Sequence, residues 1–264
     1  LLVDNTEVSV EDNDEAALVV TPTDGGTSVT EGGGTDTVDV ALATPTDADV
    51  HVFPEGDAEV NGNPTMLTFT SDTWNTPQAV TISAVDDPID ETDPVLGYVA
   101  LTTTSANNEF DNLNTPDVEV VVHDNDTAHI RVDQSGLDSV VKEGGFTDHL
   151  RLRLNTQPTG NVRISVLGDS QIRPKVDHIT FTPANWNIRQ ALYVAAIDDA
   201  KVEGRHVGRI RFTVTSPDPN YNAYHITARA FSVIDNDSAS GSHQGGGSGG
   251  NKSAGNKGTG GGGS

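Results

Sequence analysis

The chain has 264 residues, contains no cysteine and carries a formal net charge of −24 at pH 7. The lack of cysteine excludes disulfides and thiolate metal sites. The acidic balance excludes nucleic acid as a partner, because binding to phosphates needs clustered Lys and Arg. The first Lys or Arg is Arg131, so the negative charge is concentrated in the first half of the chain. No apolar run is long enough to span a membrane in this segment.

A short acidic phrase repeats along the chain and predicts its organisation. It occurs as VSVEDND, VVVHDND and FSVIDND, ending at Asp14, Asp126 and Asp237. Consecutive copies lie about 110 residues apart, which is the size of a whole domain. We therefore predict four segments in chain order: the last strand of a preceding repeat (1–14), a first domain (15–126), a second domain (127–237) and a flexible Gly/Ser-rich linker or tail (238–264). Because residue 1 falls inside a repeat, we expect an excerpt of a longer chain in which neighbouring repeats adjoin these domains.

Apolar and polar residues alternate in short runs throughout both domains, as in DTVDVAL and DHLRLRL. A period of two is typical of half-buried antiparallel strands. In the first domain we predict seven strands, in chain order 16–22, 36–42, 49–53, 65–69, 78–85, 97–104 and 117–123. The predicted fold class is all-β: two tandem immunoglobulin-like Greek-key β-sandwiches of about seven strands each, plus a disordered Gly/Ser-rich tail.

Acidic residues follow alternate strands of each predicted sandwich. In an up-and-down run, the first, third, fifth and seventh strands end at the same pole. The acidic residues after these strands in the first domain are Glu31, Asp57, Asp86, Asp87, Glu91, Asp124 and Asp126. Their equivalents in the second domain are Glu143, Asp169, Asp198, Asp199, Glu203, Asp235 and Asp237. The sequence therefore predicts one carboxylate-rich pole in each domain.

Crowded carboxylates require a counter-ion, since two like charges about 4 Å apart repel by about 4 kcal/mol at an effective dielectric near 20. Calcium fits best, because it accepts about six to eight oxygen ligands in flexible geometry, whereas magnesium requires octahedral geometry and keeps its waters. Zinc is disfavoured, because cysteine is absent and the eight histidines do not cluster at matched positions. A solvated acidic surface remains an alternative. In the second domain Lys201 and Arg205 flank Glu203, which leaves open that they replace part of an ion.

A resemblance to a known family rests on three elements in a fixed order. They are a Glu-Gly pair after the first strand, a DDxxxE cluster (DDPIDE 86–91 and DDAKVE 198–203) and the terminal DND. This order resembles tandem Calx-β domains, which include the calcium-sensing domains of sodium–calcium exchangers and repeats of secreted and surface proteins. The resemblance covers about residues 15–237 and implies Ca²⁺ as the bound ion. It implies ligand roles for the acidic residues of the two poles, although at Asp57 and Asp169 the family's Gly-Asp-Tyr phrase is replaced by EGDAEV and LGDSQI.

We therefore expect a non-enzymatic calcium-binding repeat segment of a large extracellular or cell-surface protein. In this role Ca²⁺ rigidifies the domain poles and the joints between domains, as in a stalk or adhesin. Two alternatives remain open: a glycan- or protein-binding adhesion module, or accessory domains of a larger secreted enzyme. Catalysis within this segment is disfavoured, because the paired carboxylates have no matched His, Ser or Lys partner.

Overall fold

A computed structural model describes residues 13–136 and 138–238, and every regular element in these ranges is a β-strand. The first nine strands are β1 (Leu18–Pro22), β2 (Ser28–Thr30), β3 (Asp36–Leu42), β4 (Val50–Gly56), β5 (Val60–Asn63), β6 (Leu67–Phe69), β7 (Gln78–Ala84), β8 (Val95–Ser105) and β9 (Val118–His123). The next nine are β10 (Ile130–Gln134), β11 (Val140–Lys142), β12 (Asp148–Leu154), β13 (Val162–Gly168), β14 (Ile172–Pro174), β15 (His178–Phe181), β16 (Gln190–Ala196), β17 (His206–Thr215) and β18 (Arg229–Ile234).

The strands form two β-sandwiches with the same topology. In the first sandwich, a four-stranded sheet in the order β1-β3-β7-β5 is accompanied by a five-stranded sheet in the order β2-β9-β8-β4-β6. In the second sandwich, the orders are β10-β12-β16-β14 and β11-β18-β17-β13-β15. Neighbours in space are often far apart in sequence, which is the Greek-key connection. The predicted all-β class with two tandem sandwiches is confirmed.

Each sandwich encloses its own core, built from the inward-facing positions of the alternating strands. Val38, Val40 and Leu42 on β3 are buried while the residues between them are only partly covered. The equivalent strand β12 buries Leu150, Leu152 and Leu154 in the same way. The buried side chains form one cluster in each sandwich. The alternation that predicts the strands therefore also identifies the core-facing side of each sheet.

The structure has nine strands in each sandwich, and in the first sandwich seven of them lie at the predicted positions. The additional strands in the first sandwich are β2 and β5, with three and four residues. Each contains one fully buried residue, Val29 in β2 and Val60 in β5. One buried residue cannot establish an alternating pattern, so these strands have no sequence signal of period two. They are defined instead by their pairing with β9 and β7.

Strand β2 is the element that brings the first acidic residue to the pole. It pairs in parallel with β9, with Thr30 opposite His123. Because parallel strands end at the same edge of a sheet, Glu31 and Asp124 emerge side by side. The second sandwich repeats this arrangement, since Lys142 lies opposite Ile234 in the parallel pair β11 and β18. Glu143 and Asp235 therefore emerge together as well.

Two of the predicted segments lie largely outside the described residues. They are the strand of a preceding repeat at 1–14, of which 13 and 14 are described, and the tail at 238–264, of which 238 is described. The boundaries predicted for the two domains stay predictions, although β1–β9 and β10–β18 fall within them. None of the described residues belongs to a helix with the length and apolar character needed to cross a membrane.

Candidate metal centre

Acidic residues of the first sandwich come together in the loops that follow β2, β4, β7 and β9. We call this set the first pole, and it consists of Glu31, Glu59, Asp86, Asp87, Glu91, Asp124 and Asp126. Two triads within it have ligand atoms that all lie within 4.8 Å of one another. One triad joins Glu31 to Asp124 and Asp126, and the other joins Glu31 to Glu59 and Glu91. Glu31 is common to both triads and is therefore the centre of the pole.

Glu31 is a buried acid that lacks compensation. Its relative exposure is 3 %, and its Oε2 atom has no hydrogen-bond partner within the described part of the chain. Burial, acting together with the charges of Asp124 and Glu91, raises the pKa of Glu31 from 4.5 to about 7. A buried charge is costly unless it is paired or binds a metal ion. The position of Glu31 is thus unfavourable for a bare carboxylate and favourable for a cation ligand.

The neighbouring carboxylates experience the same environment. Burial raises the pKa of Glu91, and the charge of Glu59 adds to the effect. Burial also raises the pKa of Asp126, followed by repulsion from Asp124. When desolvation and like charges act in the same direction, the charged form of each group is disfavoured without a counter-ion. A dication bound among these carboxylates would favour their charged forms and so oppose all three pKa shifts.

Backbone hydrogen bonds fix several carboxylates in place. Asp124 accepts from the amide of Glu91 through Oδ2 at 2.6 Å and from the amide of Asp126 through Oδ1 at 2.7 Å. Asp87 accepts from the amide of Ile89 through Oδ1 at 2.8 Å. These contacts leave lone pairs free, because each carboxylate oxygen accepts more than one bond. The pole is therefore ordered by its own backbone, and an ion would bind to oxygens that are already positioned.

Asn125, the middle residue of the DND phrase, holds the pole together. Its Nδ2 donates to the carbonyl oxygen of Glu31 at 2.7 Å and to Oδ1 of Asp86 at 3.0 Å. An aspartate here could not donate either bond. Gly32 packs against the same amide, and a Cβ at Gly32 would lie 3.0 Å from Asn125 Nδ2 on a backbone with φ of +56°. The Glu-Gly pair and the asparagine are thus parts of one structural unit.

Two of the predicted ligands, Asp57 and Asp169, fix the turn that links two sheets instead of joining the triads. Asp57 accepts from the amides of Glu59 and Tyr98, each at 2.9 Å. Asp169 accepts from the amides of Gln171 at 3.0 Å and Arg209 at 2.7 Å. The geometry does not favour the ligand role predicted for either residue. In the first sandwich the carboxylate that this turn contributes is Glu59, which is not among the residues predicted from sequence.

The second sandwich has a corresponding set, the second pole, made up of Glu143, Gln171, Asp198, Asp199, Glu203, His206, Asp235 and Asp237. Glu143 is 1 % exposed, and among the described residues neither of its carboxylate oxygens has a hydrogen-bond partner. Burial raises the pKa of Glu143. Its ligand atoms lie within 4.8 Å of those of Asp235 and Asp237 in one triad, and of Glu203 and His206 in another. Asn236 repeats the bridge, donating to the Glu143 carbonyl and to Asp198.

The structure therefore brings most of the predicted residues together. The predicted acids that belong to a triad are Glu31, Glu91, Asp124 and Asp126 in the first pole and Glu143, Glu203, Asp235 and Asp237 in the second. Asp86 and Asp198 join through the asparagine bridge, and Asp87 and Asp199 lie in the turns that follow them. In the first pole, Gly32, Asp86, Asp87 and Asp126 line an open depression.

The chemistry of the first pole suits calcium. Calcium accepts about six to eight oxygens at about 2.3–2.6 Å, and the two triads offer carboxylates from three separate loops around the shared Glu31. A carboxylate common to two triads is able to bridge two ions. The orphaned Oε2 of Glu31 is the observation on which this fit depends.

Comparisons with known proteins give likenesses of fold. No protein-family model matches the sequence, and no curated protein matches it. The calcium binding domain CBD12 of CALX1.1 is 16% identical over 74% of this chain and 79% of that chain, with a TM-score of 0.29. CBD12 from CALX1.2 is 16% identical over 77% of this chain and 83% of that chain, with a TM-score of 0.30. The YadV chaperone is 10% identical over 81% of this chain and 98% of that chain, with a TM-score of 0.30.

Proposed function

We propose that this chain is a non-enzymatic, calcium-binding repeat segment of a larger extracellular or cell-surface protein. Ca²⁺ binds at the first pole between loops that otherwise repel one another, and it stiffens both the pole and the joint to the next sandwich. The role is that of a stalk or adhesin segment. The observation that carries this proposal is Glu31, a buried carboxylate with an unpartnered oxygen at the centre of two carboxylate triads.

The joint between the sandwiches supports the mechanical part of the proposal. The segment between Asp87 and Glu91 of the first pole also contacts the second sandwich. The Asp90 carboxylate accepts from the amide of Ala128 at 2.6 Å, and the Asp90 carbonyl accepts from the side-chain amide of Asn220. The carbonyl of Pro88 accepts from the amide of Gln157 at 2.6 Å. An ion that orders this loop therefore also orders the contact between the sandwiches.

Calcium should raise the melting temperature of residues 1–237 strongly. An ion that binds only the native state stabilises it by about 2.7 kcal/mol at a hundred times its dissociation constant. For a domain of about 110 residues this corresponds to a rise of roughly 10–20 °C. Differential scanning calorimetry in excess calcium and in excess chelator measures the change.

The control is the same pair of scans with magnesium in place of calcium, because magnesium prefers stricter octahedral geometry and retains its waters. We expect a much smaller rise with magnesium. Equal melting temperatures in calcium and in chelator would contradict the proposed function.

Asp90→Ala should loosen the joint while leaving every carboxylate of the two triads of the first pole in place. The substitution removes the charge-assisted hydrogen bond to Ala128, which is worth about 1–3 kcal/mol. Small-angle X-ray scattering in saturating calcium should show a broader distribution of intramolecular distances than for the unmodified chain. The matched control is Asp93→Ala, because Asp93 pairs with His123 inside the first sandwich, at 2.9 Å. If Asp90→Ala and Asp93→Ala scatter alike, Asp90 does not hold the joint.

A further inference from the structure

The two poles differ in one part of their ligand set. In the first pole, Glu59 lies in the turn from β4 to β5, and Val95 at the start of β8 lies opposite Val122 on β9. In the second pole, Gln171 takes the position of Glu59 in the turn from β13 to β14, and His206 takes the position of Val95, opposite Val233 on β18. The triad of three carboxylates in the first sandwich therefore becomes, in the second, a triad of two carboxylates and an imidazole.

The imidazole of His206 faces a buried carboxylate that lacks a partner. Its Nε2 lies 3.9 Å from Oε1 of Glu143 and 3.7 Å from Oε2 of Glu203. The Glu143 side chain is fully buried and the His206 side chain is 17 % exposed. Neither oxygen of Glu143 has a hydrogen-bond partner among residues 13–136 and 138–238. A buried acid thus points into a space that a nitrogen ligand also borders.

The contacts of His206 place its Nε2 atom among acceptor atoms. Its Nδ1 lies 2.9 Å from the carbonyl oxygen of Gly204, which accepts and cannot donate, so Nδ1 carries the proton. Nε2 lies 3.1 Å from Oε1 of Gln171, which also only accepts, so either a proton on Nε2 or a cation shared by the two atoms must make this contact favourable. A histidine that donates one ring N–H to a backbone carbonyl and offers the other nitrogen has the arrangement typical of metal-ligating histidines.

Lys201 and Arg205, the basic residues that flank Glu203 and were candidates to replace an ion, have other partners. Lys201 Nζ pairs with Oδ2 of Asp199 at 3.4 Å. Arg205 Nε donates to Oγ of Ser232 at 2.7 Å. Neither contact reaches Glu143. The buried carboxylate is therefore left for an ion to compensate, or for a proton on His206.

We propose that Glu143, Glu203 and His206 form a site for a transition-metal dication of the zinc class. Imidazole nitrogen is a preferred ligand of zinc, copper and nickel, whereas calcium takes oxygen. Two ligands about 2.0–2.1 Å from a tetrahedral zinc ion lie about 3.3 Å apart, so the present separations need to close by only a few tenths of an ångström. A water molecule or the Gln171 amide oxygen completes the coordination. The two poles thus select different classes of ion, and this inference does not depend on calcium binding to the first pole.

The test is a calorimetric titration of Zn²⁺ into the untagged chain, once without calcium and once in saturating calcium. We expect zinc binding in both conditions, because calcium binds oxygen ligands and does not compete for the imidazole nitrogen. ¹⁵N spectra of labelled histidine should show a large zinc-induced shift of one Nε2 resonance. His206→Val copies the residue of the first sandwich and should weaken zinc binding by about tenfold or more, since loss of even an outer-shell partner costs that much.

A matched control separates the site from other histidine–carboxylate pairs. His178 pairs with the exposed Asp177 away from any buried acid, so His178→Ala should leave zinc binding unchanged. Glu203→Gln keeps the imidazole and should also weaken zinc binding, which decides the question if His206→Val does not fold. The proposal is overturned if the unmodified chain takes up no zinc, or if zinc binding persists in both His206→Val and Glu203→Gln.

Discussion

Glu31→Gln should abolish the calcium response of the first sandwich and at the same time stabilise its metal-free form above pH 7. Both effects follow from one feature, a carboxylate that is 3 % exposed, has an unpartnered oxygen and belongs to two triads. Glutamine has nearly the same shape but carries no charge. The substitution removes the ligand shared by both triads, and it also removes the buried charge that the surrounding acids repel.

Glu31→Gln should lower calcium binding but raise metal-free stability, and these opposite changes distinguish a ligand from a residue that only supports packing. A residue that only supports packing would lower the metal-free stability when it is changed. We expect the metal-free melting temperature to rise by a few degrees and the calcium-induced rise of roughly 10–20 °C to disappear. Trp74 packs against the first core and Trp186 against the second, so Trp186→Phe leaves fluorescence that reports on the first sandwich alone.

The control removes the same charge from a different place. Asp72 is exposed in the turn after β6, outside the first pole. Asp72→Asn should retain the full calcium response. If Glu31→Gln keeps the calcium-induced rise, or if it lowers the metal-free melting temperature, then Glu31 is not the central ligand.

The long strands could be predicted from sequence because their residues alternate between core and surface, as Val38, Val40 and Leu42 do. The short strands could not, since β2 and β5 each bury a single residue and exist through pairing. The parallel pairing of β2 with β9 is a contact between residues far apart in the chain, which no local pattern encodes. Yet this pairing is what places Glu31 beside Asp124.

The site was predictable where acids directly follow strands, and not where a turn decides the direction of a side chain. Asp57 follows β4 directly, but its carboxylate binds the backbone amides of Glu59 and Tyr98 and belongs to neither triad. Glu59, two residues later, lies in the triad. Likewise, the sequence shows Asn125 only as the residue between the two aspartates of the DND phrase, whereas in the structure it is the donor that joins two loops.

Calcium binding to the first pole should weaken steeply as the pH falls below about 7. Burial and the surrounding acids raise the pKa of Glu31 from 4.5 to about 7, so the metal-free folded state holds a proton there across this interval. Calcium needs the carboxylate and must displace that proton. From pH 7.5 to pH 5.5 this single group lowers the apparent affinity about 25-fold. The raised pKa of Glu91 and Asp126 adds to the effect in the same direction.

The same linkage gives the metal-free protein an unusual dependence on pH. A carboxyl group whose folded pKa exceeds its unfolded value contributes stability below the unfolded pKa and loses it as the pH rises through the folded pKa. Glu31 therefore makes the metal-free first sandwich less stable at pH 7.5 than at pH 5.

Calcium titrations at pH 5.5, 6.5 and 7.5, in buffers of different ionisation enthalpy, measure both the affinity and the protons released. Glu31→Gln should remove the contribution of Glu31 to the pH dependence of metal-free stability. A calcium affinity of the unmodified chain that stays constant across these pH values would show that no buried acid controls the site.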